Sequence, residues 1–335
     1  MRRLMFAATA FLLVGCQTSE SVQGQAAAAG AAAAAVTSTD PAAPKASPTP
    51  KAVRKVKPKP KPKPKPTPTV TRMASRSGFP TEATTGVPSG TRLTVVTGDQ
   101  VFSAGGQTIV GKDFHGFVKV RGKNITFRNC IFRGRATSDN AGLLDTESGI
   151  NTVVEDSEFV PSHPSATIDG IWAKETRISR VNVHGSVDGI KADSDTLVED
   201  SYIHDMRWFA HDPNQGGGPT HNDGVQSFGG EARVTLRHNR IDMSGLKEAN
   251  AAWQSSARDS LAEGNLFDGG GCTLNFSHQV LNGSLTGIRL VGNRFGRNSF
   301  FDCPILLSTK SFLAENRGNV WNDTGGPIPA PQRHD

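Results

Sequence analysis

Tyrosine is almost missing from this 335-residue chain: Tyr202 stands alone, and aromatic residues make up only 7%. Helical periodicity is equally scarce, which excludes a helical bundle as the main architecture. Past the first sixteen residues no stretch is apolar and long enough to cross a bilayer, so no mature transmembrane helix is expected. A basic excess is also missing where it would matter. Residues 17–77 hold eleven Lys and Arg against Glu20 and Asp40, whereas residues 78–335 hold 24 Lys and Arg against 29 Asp and Glu. A nucleic-acid partner needs cationic residues clustered on the folded part, and that part is net acidic.

What is present begins with an export signal. Met1 is followed by Arg2 and Arg3, an apolar run, and Leu13-Val14-Gly15-Cys16. The run is too short for a mature span and reads as a signal peptide over residues 1–15. Small residues just before a cysteine resemble a bacterial lipobox, which implies that Cys16 is lipidated and anchors the chain on the outer side of a cell membrane or in the cell wall. Residues 16–77 follow as a tether: an Ala-rich piece, then Lys-Pro alternation from Lys57 to Pro66. That alternation removes every second N–H and drives its neighbours extended, so a polyproline-II rod of about 3.1 Å per residue is expected.

The domain expected over residues 78–335 is organised around a repeat. Thr220–Gly230 reads THNDGVQSFGG, and its inner part recurs as Ile168-Asp169-Gly170-Ile171 and Val187-Asp188-Gly189-Ile190. A second alternating phrase follows, as at Thr196–Ser201 and Val234–Asn239. Its small polar residue falls at Cys130, Ser157, Asn182, Ser201, Asn239, Asn265, Asn293 and Asn319. All but one of the steps lie between 19 and 28 residues, and the exception, 38, contains the opening phrase. Short strands recurring in fixed order mean a solenoid. Stacked coils place equivalent residues about 4.8 Å apart, in parallel register. The expected fold is therefore all-β, a parallel β-helix of eight or more coils. The Asn column would sit at a turn, amide bonded to amide up the stack. Phe79–Thr94, rich in Pro, Gly and Thr, would cap the first coil.

The repeats, the Asn-rich turns and the opening FPTEATTGVPSGTRLT resemble secreted bacterial β-helix repeat proteins of the pectate-lyase-like superfamily, from about Phe79 to the end. The resemblance implies a right-handed coil and, by association, a carbohydrate substrate. It stops short of the polygalacturonase-type hydrolases, because their adjacent Asp-Asp pair and Gly-His-Gly motif are absent.

Three cysteines fall in the domain. Cys272 and Cys303 occupy equivalent places two residues ahead of Leu274 and Ile305, a separation that suits a disulfide in an oxidising compartment. Cys130 reads as a buried free thiol.

Aligning the first strand of each coil on its inward residue (Leu144, Ile171, Ile190, Val225, Ala252 or Trp253, Leu274, Ile305) yields an outward ribbon. With Trp253 inward, that ribbon is Asp145, Trp172, Lys191, Gln226, Gln254, Asn275 and Leu306. Planar amides and charged groups bond sugar hydroxyls, and pyranose rings stack on Trp. Trp172, Gln226, Gln254 and Asn275 are accordingly candidate saccharide ligands. The long excursion His204–Thr220 supplies Arg207 and His211 as further contacts, landing beside Lys191 and Gln226.

Two reactions fit. Uronate β-elimination on an acidic glycan needs a charge neutraliser and a base: Asp169, Asp188 and Asp223 would hold Ca²⁺, with Lys191 or His221 as base. Glycoside hydrolysis needs two carboxyl groups roughly 5–9.5 Å apart, for which Asp188 and Asp223 are candidates. The alternative reading of all three Asp-Gly pairs is a repeated turn. The non-enzymatic alternative for the whole chain is a wall-tethered, monomeric glycan-binding module.

Overall fold

A computed structural model of the protein describes residues 78–335. Cys16, the export signal and the 16–77 tether lie outside the described residues.

Three strands per coil build three parallel sheets, two of ten strands and one of nine. The architecture is the parallel β-helix expected from the repeat. Sheet I runs from Thr94–Thr97 to Val320–Trp321, sheet II from Gln100–Phe102 to Gln332–Arg333, and sheet III from Thr108–Val110 to Ser311–Arg317. Strand pairing is parallel throughout the three sheets, so each inward residue sits on its counterpart one coil away.

Alternation forces this outcome. With a side-chain period of two, a strand such as Thr126-Phe127-Arg128 turns Phe127 into the tube and the other two out. The inward column of sheet I opens with Phe114, Phe132 and Phe159, the last two stacked at 4.5 Å. It continues through Val183, Ile203, Ile241, Phe267 and Phe295, all fully buried. Each such side chain buries enough apolar area to contribute about 1.5–3 kcal/mol. In sheet II the inward residue of the sixth strand from Leu144 is Leu274, and before it Trp253, not Ala252, pairs with Val225. Trp253 is fully buried and donates its indole N–H to Ser227 Oγ at 3.3 Å.

At the turn between sheets III and I runs the amide column. The Nδ2 of Asn239, Asn265 and Asn293 each donates to the Oδ1 of the next Asn at 2.9–3.0 Å and to a carbonyl, of Val198, Leu236 and Ala262. Backbone N–H groups of the same residues also donate to that Oδ1. Every buried amide atom has a partner, which is what the interior demands. One member expected in this column is not in it. Val181 takes the place of Asn182, its N–H donating to Ser201 Oγ at 3.1 Å. Asn182 lies one residue on and therefore on the opposite face, paired with Glu158 and Tyr202 in sheet I.

The opening segment also departs from expectation. Instead of covering the end of the solenoid, Gly78–Arg92 runs along its flank as a strap. Phe79 stacks on His238 at 6.0 Å, Glu82 lies beside His204, and the Gly86 N–H donates to Arg180 O at 2.9 Å. Only at Thr94 does the chain join sheet I, pairing with Lys112. The pairing Cys272–Cys303 forms a disulfide across adjacent coils, and Cys130 is a buried free thiol.

Candidate functional site

The site rests on sheet II. Its outward residues pair in the order Lys119, Asp145, Trp172, Lys191, Gln226, Gln254, Asn275, Leu306, which matches the alignment read from the repeats. Trp172, Lys191, Gln226 and Asn275 are half-buried and Gln254 is more deeply set. They form a single row of an indole, an ammonium and three amides at coil spacing.

Behind the row runs the aspartate column. Two of the three Asp-Gly pairs are not turns, whereas Asp188-Gly189 lies in a bend just ahead of the strand Ile190–Ala192. Asp169-Gly170 and Asp223-Gly224 lie inside the strands Ile168–Ala173 and Asp223–Ser227. Their glycines make room for backbone: a Cβ on Gly170 would meet Gly189 O at 2.4 Å, and one on Gly189 would meet Gly224 O at 2.3 Å. This close approach draws the three aspartates together beneath the ribbon. Three of the ribbon residues then reach back three positions to their own aspartates. Trp172 donates its indole N–H to Asp169 Oδ2 at 2.7 Å, Lys191 faces Asp188 Oδ2 at 3.5 Å, and Gln226 donates to Asp223 Oδ2 at 3.1 Å.

Cross-coil contacts bind the set further. Lys191 Nζ is 2.7 Å from Asp169 Oδ2 and 5.9 Å from the Trp172 ring centroid. Asp188 Oδ1 accepts the Asp223 backbone N–H at 2.8 Å, and Asp223 Oδ1 accepts from Asn250 Nδ2 at 2.9 Å. Asn250 has no Asp-Gly signature, so sequence reasoning missed it; its only mark is its place immediately before the strand Ala251–Ser255.

The electrostatics follow from crowding three buried carboxyls around one ammonium. Burial, then repulsion from Asp169, pushes Asp188 up to about 7 despite Lys191. Burial and the neighbouring Asp188 likewise hold Asp223 well above the carboxylate range. Burial pulls Lys191 downward, but Asp169 and Asp188 outweigh it and keep the ammonium charged. A base must be able to surrender its proton, so this environment works against Lys191 in that role. It also bears on Ca²⁺ at Asp169, Asp188 and Asp223. The Lys191 ammonium already lies between the first two, and Asp223 is committed to two amide donors. In this arrangement the carboxyls do not fit a calcium ion, and no step is routed through one.

The excursion is anchored at both ends. Its tip folds around Asp212, which caps the short helical turn Pro213–Gln215. Asn214 there exchanges hydrogen bonds with Asn140 at 2.9–3.0 Å, immediately ahead of the strand Ala141–Asp145. Asn222, fully buried, donates to the carbonyls of Val187 and Arg207 and so ties the base of the excursion to the aspartate coils. Arg207, His211 and His221 are exposed. His211 Nδ1 lies 3.1 Å from Gly217 O, inside the excursion. Among the described contacts these three side chains take no part in the Lys191 cluster. His204, grouped by sequence with the excursion, ends the strand Tyr202–His204 on sheet I and is buried. Asp205 and Arg207 line, with Asp242 and Ser244, a separate cleft of about 390 Å³.

No family model matches this chain, and no curated protein matches it. Among solved structures it is similar to the Dettilon tailspike protein (gp208), at 11% identity and a TM-score of 0.30. That match covers 72% of this chain and 60% of the tailspike chain.

Proposed function

We propose that this protein is a glycan-directed β-helix module, held at the cell envelope through Cys16 and the 16–77 tether, which grips a saccharide along the sheet II ribbon. The observation that carries the reading is the unbroken row Trp172, Lys191, Gln226, Gln254, Asn275, paired strand to strand, with all but Gln254 half open to solvent. An indole face suits the apolar side of a pyranose, and fixed amides suit its hydroxyls. The back-bonds to Asp169 and Asp223 orient Trp172 and Gln226 before any ligand arrives, which lowers the entropic cost of binding.

Charge narrows the saccharide class. Beside the ribbon, Glu147 is raised by burial and by Asp145 and Asp193, and Glu231 by burial and Asp193. Carboxyls that already repel one another favour a neutral or amino-bearing sugar over the acidic glycan expected from the sequence. The pectate-lyase-like affiliation belongs to the same proposal, with β-elimination its less supported branch.

A second reading, cleavage, is favoured by one observation: Asp188 is poised to exchange a proton near neutral pH. Hydrolysis also needs an ionised second carboxyl within reach of the substrate, and Asp223, fully buried and itself held well above the carboxylate range, does not supply one.

The test is retention on immobilised cell-wall polysaccharides and glycan arrays. Trp172→Ala and Gln226→Ala should each weaken binding by roughly tenfold, the loss of about 1.4 kcal/mol, with unchanged melting. Full retention by both variants overturns the ribbon. New reducing ends without ultraviolet absorbance indicate hydrolysis, absorbance of an unsaturated uronide indicates elimination, and neither leaves the binding module.

A further inference from the structure

The second polar cluster lies on sheet I, away from the ribbon, and rests on none of the glycan reading. At its centre is His204, 3% exposed, its ring stacked on Tyr202 at 3.9 Å and on His184 at 5.3 Å. Its Nδ1 is 2.8 Å from Asp205 Oδ2. Its Nε2 is 2.9 Å from Asn182 Oδ1 and 3.9 Å from Glu82 Oε1. Both ring nitrogens thus face oxygen acceptors, yet a neutral imidazole has a single N–H to give. With the proton held on Nδ1 by the Asp205 carboxylate, the Nε2 lone pair points at two more oxygens. Electron-rich atoms converging in this way are satisfied by positive charge among them, either a second proton on the ring or a metal ion.

We propose that His204 Nε2, Glu82 and Asn182 Oδ1 form a binding site for a divalent transition cation of the zinc or cobalt class. One imidazole nitrogen with carboxylate and amide oxygens is a borderline donor set suited to such ions. Asp205 has the supporting role of a carboxylate that fixes the tautomer and orientation of a metal-binding histidine. The carboxylate oxygens of Glu82 and Asp205 and the imidazole lie within 4.8 Å of one another. His204 and Asp205 also border the 390 Å³ cleft.

The three ligands come from distant parts of the chain. Asn182 and His204 belong to neighbouring coils, whereas Glu82 belongs to the strap. The cation therefore clips the strap to the solenoid.

The experiment uses the full-length chain, freed of metal by chelation and titrated with Zn²⁺ by calorimetry and with Co²⁺ by visible absorption. One equivalent should bind, with Co²⁺ showing the visible bands of a site containing nitrogen. His204→Ala should abolish that equivalent. Glu82→Gln, on an exposed strap residue whose loss leaves the coils intact, should weaken it at least tenfold. Zn²⁺ should slow proteolysis within residues 78–92 several-fold in the native chain and not in Glu82→Gln. Absence of a stoichiometric equivalent, or an equivalent indifferent to both substitutions, overturns the site. An equivalent lost with His204→Ala but indifferent to Glu82→Gln overturns the clip.

Discussion

Two polar columns climb this solenoid, and they solve the problem of burial in opposite ways. The Asn239–Asn319 column is neutral and self-complementary: each amide donates two hydrogen bonds and accepts in turn, so the stack closes with donors and acceptors matched. The Asp169–Asp188–Asp223 column has three carboxyls with one ammonium among them, and two of the three are pushed toward the protonated state. A matched column holds a structure still. An unmatched one stores a proton that can be exchanged, and stands beneath the surface row best suited to a ligand. Each aspartate has hydrogen-bond or ion-pair partners, so what separates the second column from the first is unbalanced charge and not missing partners.

The comparison can be tested from its largest expected effect downward. Gly189→Ala drives a Cβ to 2.3 Å from Gly224 O and 2.6 Å from Ile203 Cγ2. It should cost about 3 kcal/mol or more, seen as a large drop in the denaturant midpoint. A tolerated alanine would mean that the aspartate coils are not packed as tightly as described. Asn265→Leu breaks the matched column, leaving the Asn239 amide and the Leu236 carbonyl short of a partner. About 2–3 kcal/mol should be lost in chemical denaturation, with saccharide retention unchanged.

Asp188→Asn acts on the unmatched column, and its signature is a pH dependence. Because the folded carboxyl binds its proton more tightly than the unfolded one, the contribution of Asp188 to stability is greatest below about pH 4 and declines as pH rises through about 7. The asparagine variant should flatten that decline, by an amount on the order of 2–4 kcal/mol across the window. Equal slopes for both proteins would remove the argument for a stored proton. Smallest is Trp172→Ala: melting should hold steady while affinity falls roughly tenfold, and a fall in both would reduce Trp172 to a packing residue.

Much of this was legible because alternation and stacking are local rules. Once the inward residue of each coil is identified, register follows, and Trp172, Lys191, Gln226, Gln254 and Asn275 fall into one row. The disulfide Cys272–Cys303 follows from the same register. The reading slipped where a single residue changes the outcome. Asn182 resembles its neighbours in the amide column but sits one position off, and in a strand one position is the opposite face. Asp169-Gly170 and Asp223-Gly224 resemble turns, whereas their glycines answer to the backbone of the next coil. The strap could not be read at all, since Pro, Gly and Thr announce an irregular segment without saying where it lies.

By itself the sequence determined the coil, its approximate length, the inward layers and the outward row, because each depends on a periodicity carried by neighbouring residues. Only the tertiary structure decided the path of Gly78–Arg92, the meeting of Glu82 with His204, and the proton affinities of Asp188 and Asp223. Those properties depend on burial and on charges contributed by segments far apart in the chain, and neither quantity is encoded at any one position.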